Sequence, residues 1–351
     1  MKRNILLLFT FFACITVQGQ TPVRLVDLRS EHLDRPIGLD NPVPRLSWRM
    51  EDGRQGAVQT SWRIVVDEDS LNVVNGCGRM WDSGKNDSRN QLVAYAGKKL
   101  QPFTRYYWKV ICSDMEYKET ASPVSYFETG MMGMQHWQGA WIGDGKDIHY
   151  GPAPYFRKEF KTGKKVKSAR AYIAAAGLYE LYINGEKIGD HCLAPLYTRF
   201  DRRNLYVAYD VTSQLQNGDN AIGVLLGNGW YNHQSKAVWD FDRAPWRNRP
   251  TFCLDLRITY TDGSVETIPT DLSWRTASGA ITFNSIYTGE HYDARLEQKG
   301  WSTPEFDDSK WRGVAYRSVP SSNVTAQQVH PIRNSKVLFP AVLFPLKWTR
   351  K

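Results

Sequence analysis

The sequence predicts an all-β protein built as two β-sandwiches in series, and three observations carry that expectation. Short runs alternate apolar and polar residues along most of the chain, the period of a half-buried strand. Turn dipeptides with a mechanism, Asn184-Gly185 and Asp262-Gly263, sit between such runs and read as hairpins. The composition of 27 Gly, 17 Pro, 13 Trp, 18 Tyr and 14 Phe suits short strands and frequent turns, and no amphipathic pattern runs beyond about two helical turns.

Taken in chain order, residues 1–20 (MKRNILLLFTFFACITVQGQ) pair a charged start with an apolar run from Ile5 to Val17 and a small Gly19. That is the pattern of a secretory signal peptide, too short for a membrane span. Acylation of Cys14 is the alternative, against the poor lead-in Phe11-Phe12-Ala13. The mature protein is therefore expected to be periplasmic or secreted, without a membrane span. Residues 21–131 hold short strands with turns about every ten residues, as in an immunoglobulin-like sandwich. In one, Trp62, Ile64 and Val66 share a face opposite Arg63 and Asp67. In another, Tyr106, Trp108, Val110 and Cys112 alternate with Tyr107, Lys109 and Ser113. Gly130–His136 reads as a linker. Residues 137–330 form a second β-rich block long enough for a jelly roll. Within it Phe252, Leu254, Leu256, Ile258 and Tyr260 line one face of a long strand. Residues 331–351 read as an aberrant or truncated tail.

The formal charge of +9 is scattered among 36 acids without a basic run, so a solvated basic surface is expected and no nucleic-acid partner. Loss of the leader leaves Cys77, Cys112, Cys192 and Cys253, far apart and without a C-x-x-C pair, which argues against structural zinc. Buried thiols are the ordinary reading of Cys112 and Cys253.

Three clusters could carry chemistry. Asp190-His191-Cys192 places an acid, an imidazole and a thiol side by side. In an extended segment neighbours point to opposite faces, so the three cannot hydrogen-bond in series as a triad must. A loop with oxygen ligands or sugar contacts, or a plain surface turn, remains. In the second cluster, Leu226–His233 followed by Val238–Arg243, Gly227 and Gly229 allow a tight backbone around Asn228. Trp230, Tyr231 and Trp239 offer flat faces for a sugar ring, or else Trp230 and Tyr231 are core. Asp240 and Asp242 could ligate a cation or lie in a solvated loop. In the third, Glu290, Asp293 and Glu297 suggest a glycosidase pair, which must flank a sugar roughly 5–10 Å apart. Ion pairs with Arg295 or Lys299 are the competing reading.

Several further motifs complete the picture: Pro44–Trp48, Trp81–Gly84, Arg105–Lys109, Phe127–Gly130, Phe156–Phe160, Gly227–Tyr231, Gly289–Arg295 and Phe306–Trp311. In order and spacing, up to about Pro331-Ile-Arg333, they resemble the front portion of bacterial α-L-rhamnosidases of glycoside hydrolase family 78. The resemblance implies a fibronectin-type-III-like sandwich followed by a jelly roll that in some relatives binds rhamnose beside a calcium ion. By position it makes Asp190, its neighbour His191 and Asn228 calcium and sugar ligands, with calcium held by Asp190 and Asn228. His191 stands where an oxygen donor is expected. The family's hydrolytic carboxylates lie in a downstream (α/α) barrel whose acid-rich signature is absent from this sequence. The expectation is thus an N-terminal rhamnosidase portion with no catalytic residues of its own, a rhamnose-containing glycan as partner, and the barrel as intramolecular partner in full-length relatives. Purely structural support of that barrel is the alternative.

Overall fold

A computed structural model describes residues 22–235 and 239–339. The leader, Cys14 and the end of the tail lie outside the described residues. Among the described residues strands dominate, and the longest α-helix is the five-residue turn Ser70–Val74.

In the first sandwich, Arg24–Ser30, Arg45–Glu51 and Leu92–Ala94 form one sheet. The other runs in the order Ile37–Leu39, Ser125–Thr129, Arg105–Ser113, Ser61–Asp67, Trp81–Asp82. The alternation read from the sequence holds: Trp62, Ile64 and Val66 meet Tyr106, Trp108, Val110 and Cys112 in the core, against Leu25, Leu46 and Trp48 of the facing sheet. Asp67 points away from that core yet is buried, because the Arg79 guanidinium and three N–H donors wrap it. Cys112 donates to Gln59 Oε1, and burial pushes its thiol up to about 12, so it packs and does not react.

The second sandwich packs a seven-stranded sheet against a six-stranded one. One follows the order Ala315–Tyr316, Ile142–Gly143, Thr251–Tyr260, Val166–Ala176, Asn204–Asp210, Val324–Ala326, with Val265–Pro269 closing the predicted Asp262-Gly263 hairpin. The other follows Glu186–Lys187, Leu178–Ile183, Gly218–Gly227, Pro154–Thr162, Arg275–Ser278, Arg312–Gly313. Phe252, Leu254, Leu256, Ile258 and Tyr260 all enter the core between them, as their spacing predicts. The buried Cys253 is a free thiol on the opposite face of that strand.

That opposite face is not open to water. Tyr172, Ala174, Ala176, Tyr206 and Cys253 form a second apolar layer with Met131 and Trp141, and the first sandwich closes over it. Gly130 therefore belongs to a tight junction and not to a loose linker: a Cβ there would lie 1.9 Å from Tyr206 Oη. Tyr206 Oη donates to Asp40 Oδ1 (2.6 Å) and accepts from Met131 N (2.9 Å), while Asp40 also accepts from Met132 N and Ala326 N. Arg170 reaches across to Glu128 through two hydrogen bonds of 2.6 and 3.0 Å. Tyr206→Phe leaves the Met131 N–H unpartnered in a dry layer and is expected to cost about 1–3 kcal/mol. Chemical denaturation of the variant measures this; an unchanged midpoint would show that water replaces the phenol at no cost.

Candidate functional site

Residues in or beside the three sequence clusters, namely Leu193, Gly227 with Gly229, and Gly289 with Glu290, line one cleft of the second sandwich, next to the paired strands Leu178–Ile183 and Gly218–Gly227. The first strand turns at Asn184 (φ 49°) and Gly185 (φ 84°), a left-handed pair suited to a two-residue hairpin. Asn184 is pinned: its amide donates to Gln214 O and Asn220 Oδ1 and accepts from Ala221 N, all at 2.8 Å. The chain then reaches the exposed Asp190 and the half-buried His191 and Cys192.

Asp190 and His191 stay close, with His191 Nε2 3.9 Å from Asp190 Oδ1 and both side chains meeting Arg333. The alternation expected of an extended segment therefore does not hold for this pair; Cys192 alone turns elsewhere. The Asp190 carboxylate takes Arg333 Nε at 2.7–2.8 Å, and this guanidinium holds it below the usual carboxylate range. His191 Nδ1 lies 3.2 Å from Tyr209 Oη, whose hydroxyl meets Tyr179 Oη at 3.0 Å. Burial, then the Arg333 charge, pushes the imidazole pKa down, so it is neutral near pH 7. Cys192 Sγ approaches only Asp190 O and Asn334 Oδ1, at 3.9–4.0 Å, and its N–H pairs with Ile332 O. No nucleophile–base contact forms here.

Asn228 faces inward. Its N–H donates to Asn284 Oδ1 (2.7 Å), its amide to Asn284 O (3.0 Å), and its Oδ1 accepts from Asn232 Nδ2 (3.0 Å). These bonds weld the loop after Gly227 to the hairpin Ile281–Ser285/Gly289–Tyr292. They also bear on calcium. A calcium cage needs six to eight convergent oxygens free of competing donors. Asp190 is neutralised by Arg333, His191 offers nitrogen, and Asn228 Oδ1 already accepts a hydrogen bond at a nearly inaccessible position (1% exposed). In this arrangement the three residues do not fit a calcium ion.

The aromatic residues part company. Tyr231 is core, 5.1 Å from Phe200, and burial pushes its phenol up to about 12. Trp230 is half-buried at the centre of a surface cluster, with Tyr197, Phe241 and Tyr287 centroids at 5.9, 5.1 and 5.3 Å. Trp239 stands 70% exposed beyond it. Asp240 adopts φ 52°, and Asp242 supplies a carbonyl to Arg247. Among the acids of the third cluster, Asp293 pairs with Arg295 at 2.6 Å and caps the turn Ala294–Leu296. That is the ion-pair reading, and it takes Asp293 out of any catalytic pair with Glu290.

The surface concavity here is a cleft of about 520 Å3. Its floor is the outward face of the sheet, Leu178, Glu180 and Leu225, with Gly227 and Gly229; Asn284, Ser285, Ile286 and Glu290 on the hairpin form a wall, and Leu193 closes one side. A Cβ at Gly229 would meet Leu178 Cγ at 2.8 Å, so glycine keeps the floor and loop in contact. Glu180 is held by Lys187 and by the Tyr182 hydroxyl at 2.6 Å. Sequence reasoning passed over Glu180. Its only signal was an acid on the outward register of an otherwise aromatic and aliphatic strand.

Two family models match this chain: the Rha78A-like N-terminal immunoglobulin domain over residues 25–133, and the α-L-rhamnosidase N-terminal domain over residues 164–336. A curated α-L-rhamnosidase of Formosa agariphila is 33% identical over 97% of the chain, and one of Alteromonas sp. (strain LOR) 32% identical over 87%. The chain spans 39% and 34% of those two proteins' lengths. Among solved structures, the α-L-rhamnosidase from Dictyoglumus thermophilum superposes with a TM-score of 0.82 at 38% identity, covering 89% of this chain and 36% of that one. The Streptomyces avermitilis enzyme, solved with L-rhamnose, shares the fold at a TM-score of 0.83 and 23% identity, over 90% of this chain and 47% of that one.

Proposed function

The chain belongs to the α-L-rhamnosidase family, as the N-terminal portion of its members, and on that premise we propose a non-catalytic role for these residues. In this reading the two sandwiches carry and orient the hydrolytic part of an exported α-L-rhamnosidase, and the cleft beside Glu180 and Glu290 holds rhamnose-terminated glycan weakly. The cleft carries the proposal. Leu178, Leu193, Leu225 and Ile286 offer an apolar surface to a sugar's C–H face, while Glu180, Glu290, Asn284 and Ser285 supply hydrogen-bond partners for its hydroxyls. With two carboxylates and no cation lining it, the site favours a neutral sugar over an acidic one. Trp230 with Tyr287 extends a stacking surface at its edge. Calcium has no part in this reading.

Isothermal titration with methyl α-L-rhamnoside is the test. The expected result is millimolar binding, unchanged by a chelator and weakened about tenfold by Glu290→Ala. Absence of heat would sink the glycan part. Release of nitrophenol from a nitrophenyl rhamnoside, abolished by Glu290→Gln, would overturn the non-catalytic part.

Purely structural support is the second reading, favoured by a different observation. Val329, Ile332, Val337, Leu338 and Phe339 are exposed along the last described stretch. Apolar side chains in that density suit a surface that another domain covers.

A further inference from the structure

A second concavity, on the opposite ladder, has the opposite electrostatic character. It is small, about 280 Å3, and lies where Tyr231, Asn248 and Arg249 approach the edge strand carrying Tyr316 and Arg317. No carboxylate lines it. Arg249 at its base is neutralised, because Asp144 takes Nε and Nη2 and the carbonyls of Tyr150 and Pro152 take the remaining donors. Arg317 is not. Its backbone N–H is fixed to Trp141 O (2.8 Å), its stem packs on Gly143, and its guanidinium donates only to the neutral Asn248 Oδ1 at 3.0 Å. The Tyr231 phenol, buried beside Arg317, adds a rigid O–H donor, and Ser318 a second hydroxyl.

A fixed guanidinium with an uncompensated charge, a phenol and a hydroxyl in a concavity without acids is the donor set that recognises a tetrahedral or planar oxyanion. We propose that this pocket binds a sulfate or carboxylate group, with Arg317 as the anchoring charge and Tyr231 and Asn248 positioning it. The site is separate from the glycan cleft and stands whether or not that cleft binds sugar. The same chemistry comes from two sources, a free inorganic anion or an acidic substituent on a polysaccharide.

The test is titration of the full chain with sodium sulfate against chloride at matched ionic strength, followed by calorimetry and amide NMR shifts. Saturable sulfate binding in the millimolar range is expected, weakened about tenfold in Arg317→Gln and less in Arg317→Lys, which keeps the charge but loses the fork. Tyr231→Phe should weaken it a few-fold, and Arg89→Gln, on the first sandwich, should leave it unchanged. Methyl glucuronide binding more tightly than sulfate assigns the anion to a glycan; the reverse order assigns it to free oxyanion, and both support the pocket. No saturation up to about 50 mM sulfate, or equal affinity in a folded Arg317→Gln, overturns it.

Discussion

Asp144→Ala is expected to destabilise the second sandwich by about 3–5 kcal/mol, the cost of stranding a buried guanidinium. Arg249 has one of the largest fully buried side chains of the described residues, and Asp144 is 6% exposed in its side chain. The pair closes at 2.6 Å, and the same guanidinium holds the carbonyls of Tyr150 (2.6 Å) and Pro152 (2.7 Å). One cation therefore ties the loop after Ile142–Gly143 to the start of Thr251–Tyr260. Without the carboxylate, the two carbonyls cannot offset the charge, and water must enter a packed layer or the loop must open. For a unit of this size the melting temperature should fall by roughly 6–20 °C. The double variant Asp144→Leu/Arg249→Met removes both charges and should recover most of the loss, because the expense lies in the unpaired ion and not in the missing bond. Urea unfolding of the wild type, the single variant and the double variant decides it. A single-variant loss below about 1 kcal/mol would mean that solvent already reaches Arg249.

How much of this was legible in the sequence depended on how local the cause was. The alternation in Tyr106–Ser113 reports a strand buried on one face, and the structure places its four apolar residues in one core. Asn184-Gly185 and Asp262-Gly263 are decided by backbone preference within two residues, and both turns form. Val166–Ala176 carried no such signal. It is buried almost continuously because one face meets the sandwich core and the other the inter-sandwich layer, and burial on both faces erases the period of two. The junction was misread for the same reason: Met131 and Gly130 look like linker until Tyr206, 75 residues later, arrives against them. In the site, alternation predicts that Asp190 and His191 point apart, whereas a bend brings them to 3.9 Å around Arg333. It is Cys192, with no contact to His191, that leaves a triad unformed. The partners that settle the other assignments are remote, with Arg333 lying 143 residues from Asp190 and Asn284 lying 56 from Asn228. No local pattern announces that an acid is claimed by an arginine or that an amide faces inward. Glu180 was missed because one acid on a strand is ordinary until a hairpin folds over it.

Asp255→Asn should remove a pH dependence of stability worth about 3 kcal/mol between about pH 3 and pH 7. Asp255 is 2% exposed on the inter-sandwich face of Thr251–Tyr260, beside Cys253. Burial pushes its carboxyl up to about 6, against the opposing pull of the Gln138 and Gly139 N–H groups that donate to it at 2.8 and 2.7 Å. In the unfolded chain the same carboxyl titrates near 3.8. Between those values the folded protein binds the proton that the unfolded chain has released, so its contribution to stability is fully present below the unfolded pKa. It is lost as pH rises through the folded one. Asp40, whose carboxyl burial also pushes up, has the same sign, whereas Asp67 is held low and acts at more acidic pH. Subtracting the variant's unfolding free energy from the wild type's at each pH cancels both and isolates Asp255. That difference should fall by about 3 kcal/mol from about pH 3 to pH 7 and stay flat above. A difference that does not vary across the window would show that the two backbone donors fully offset the burial of the charge, placing Asp255 among the ordinary carboxylates.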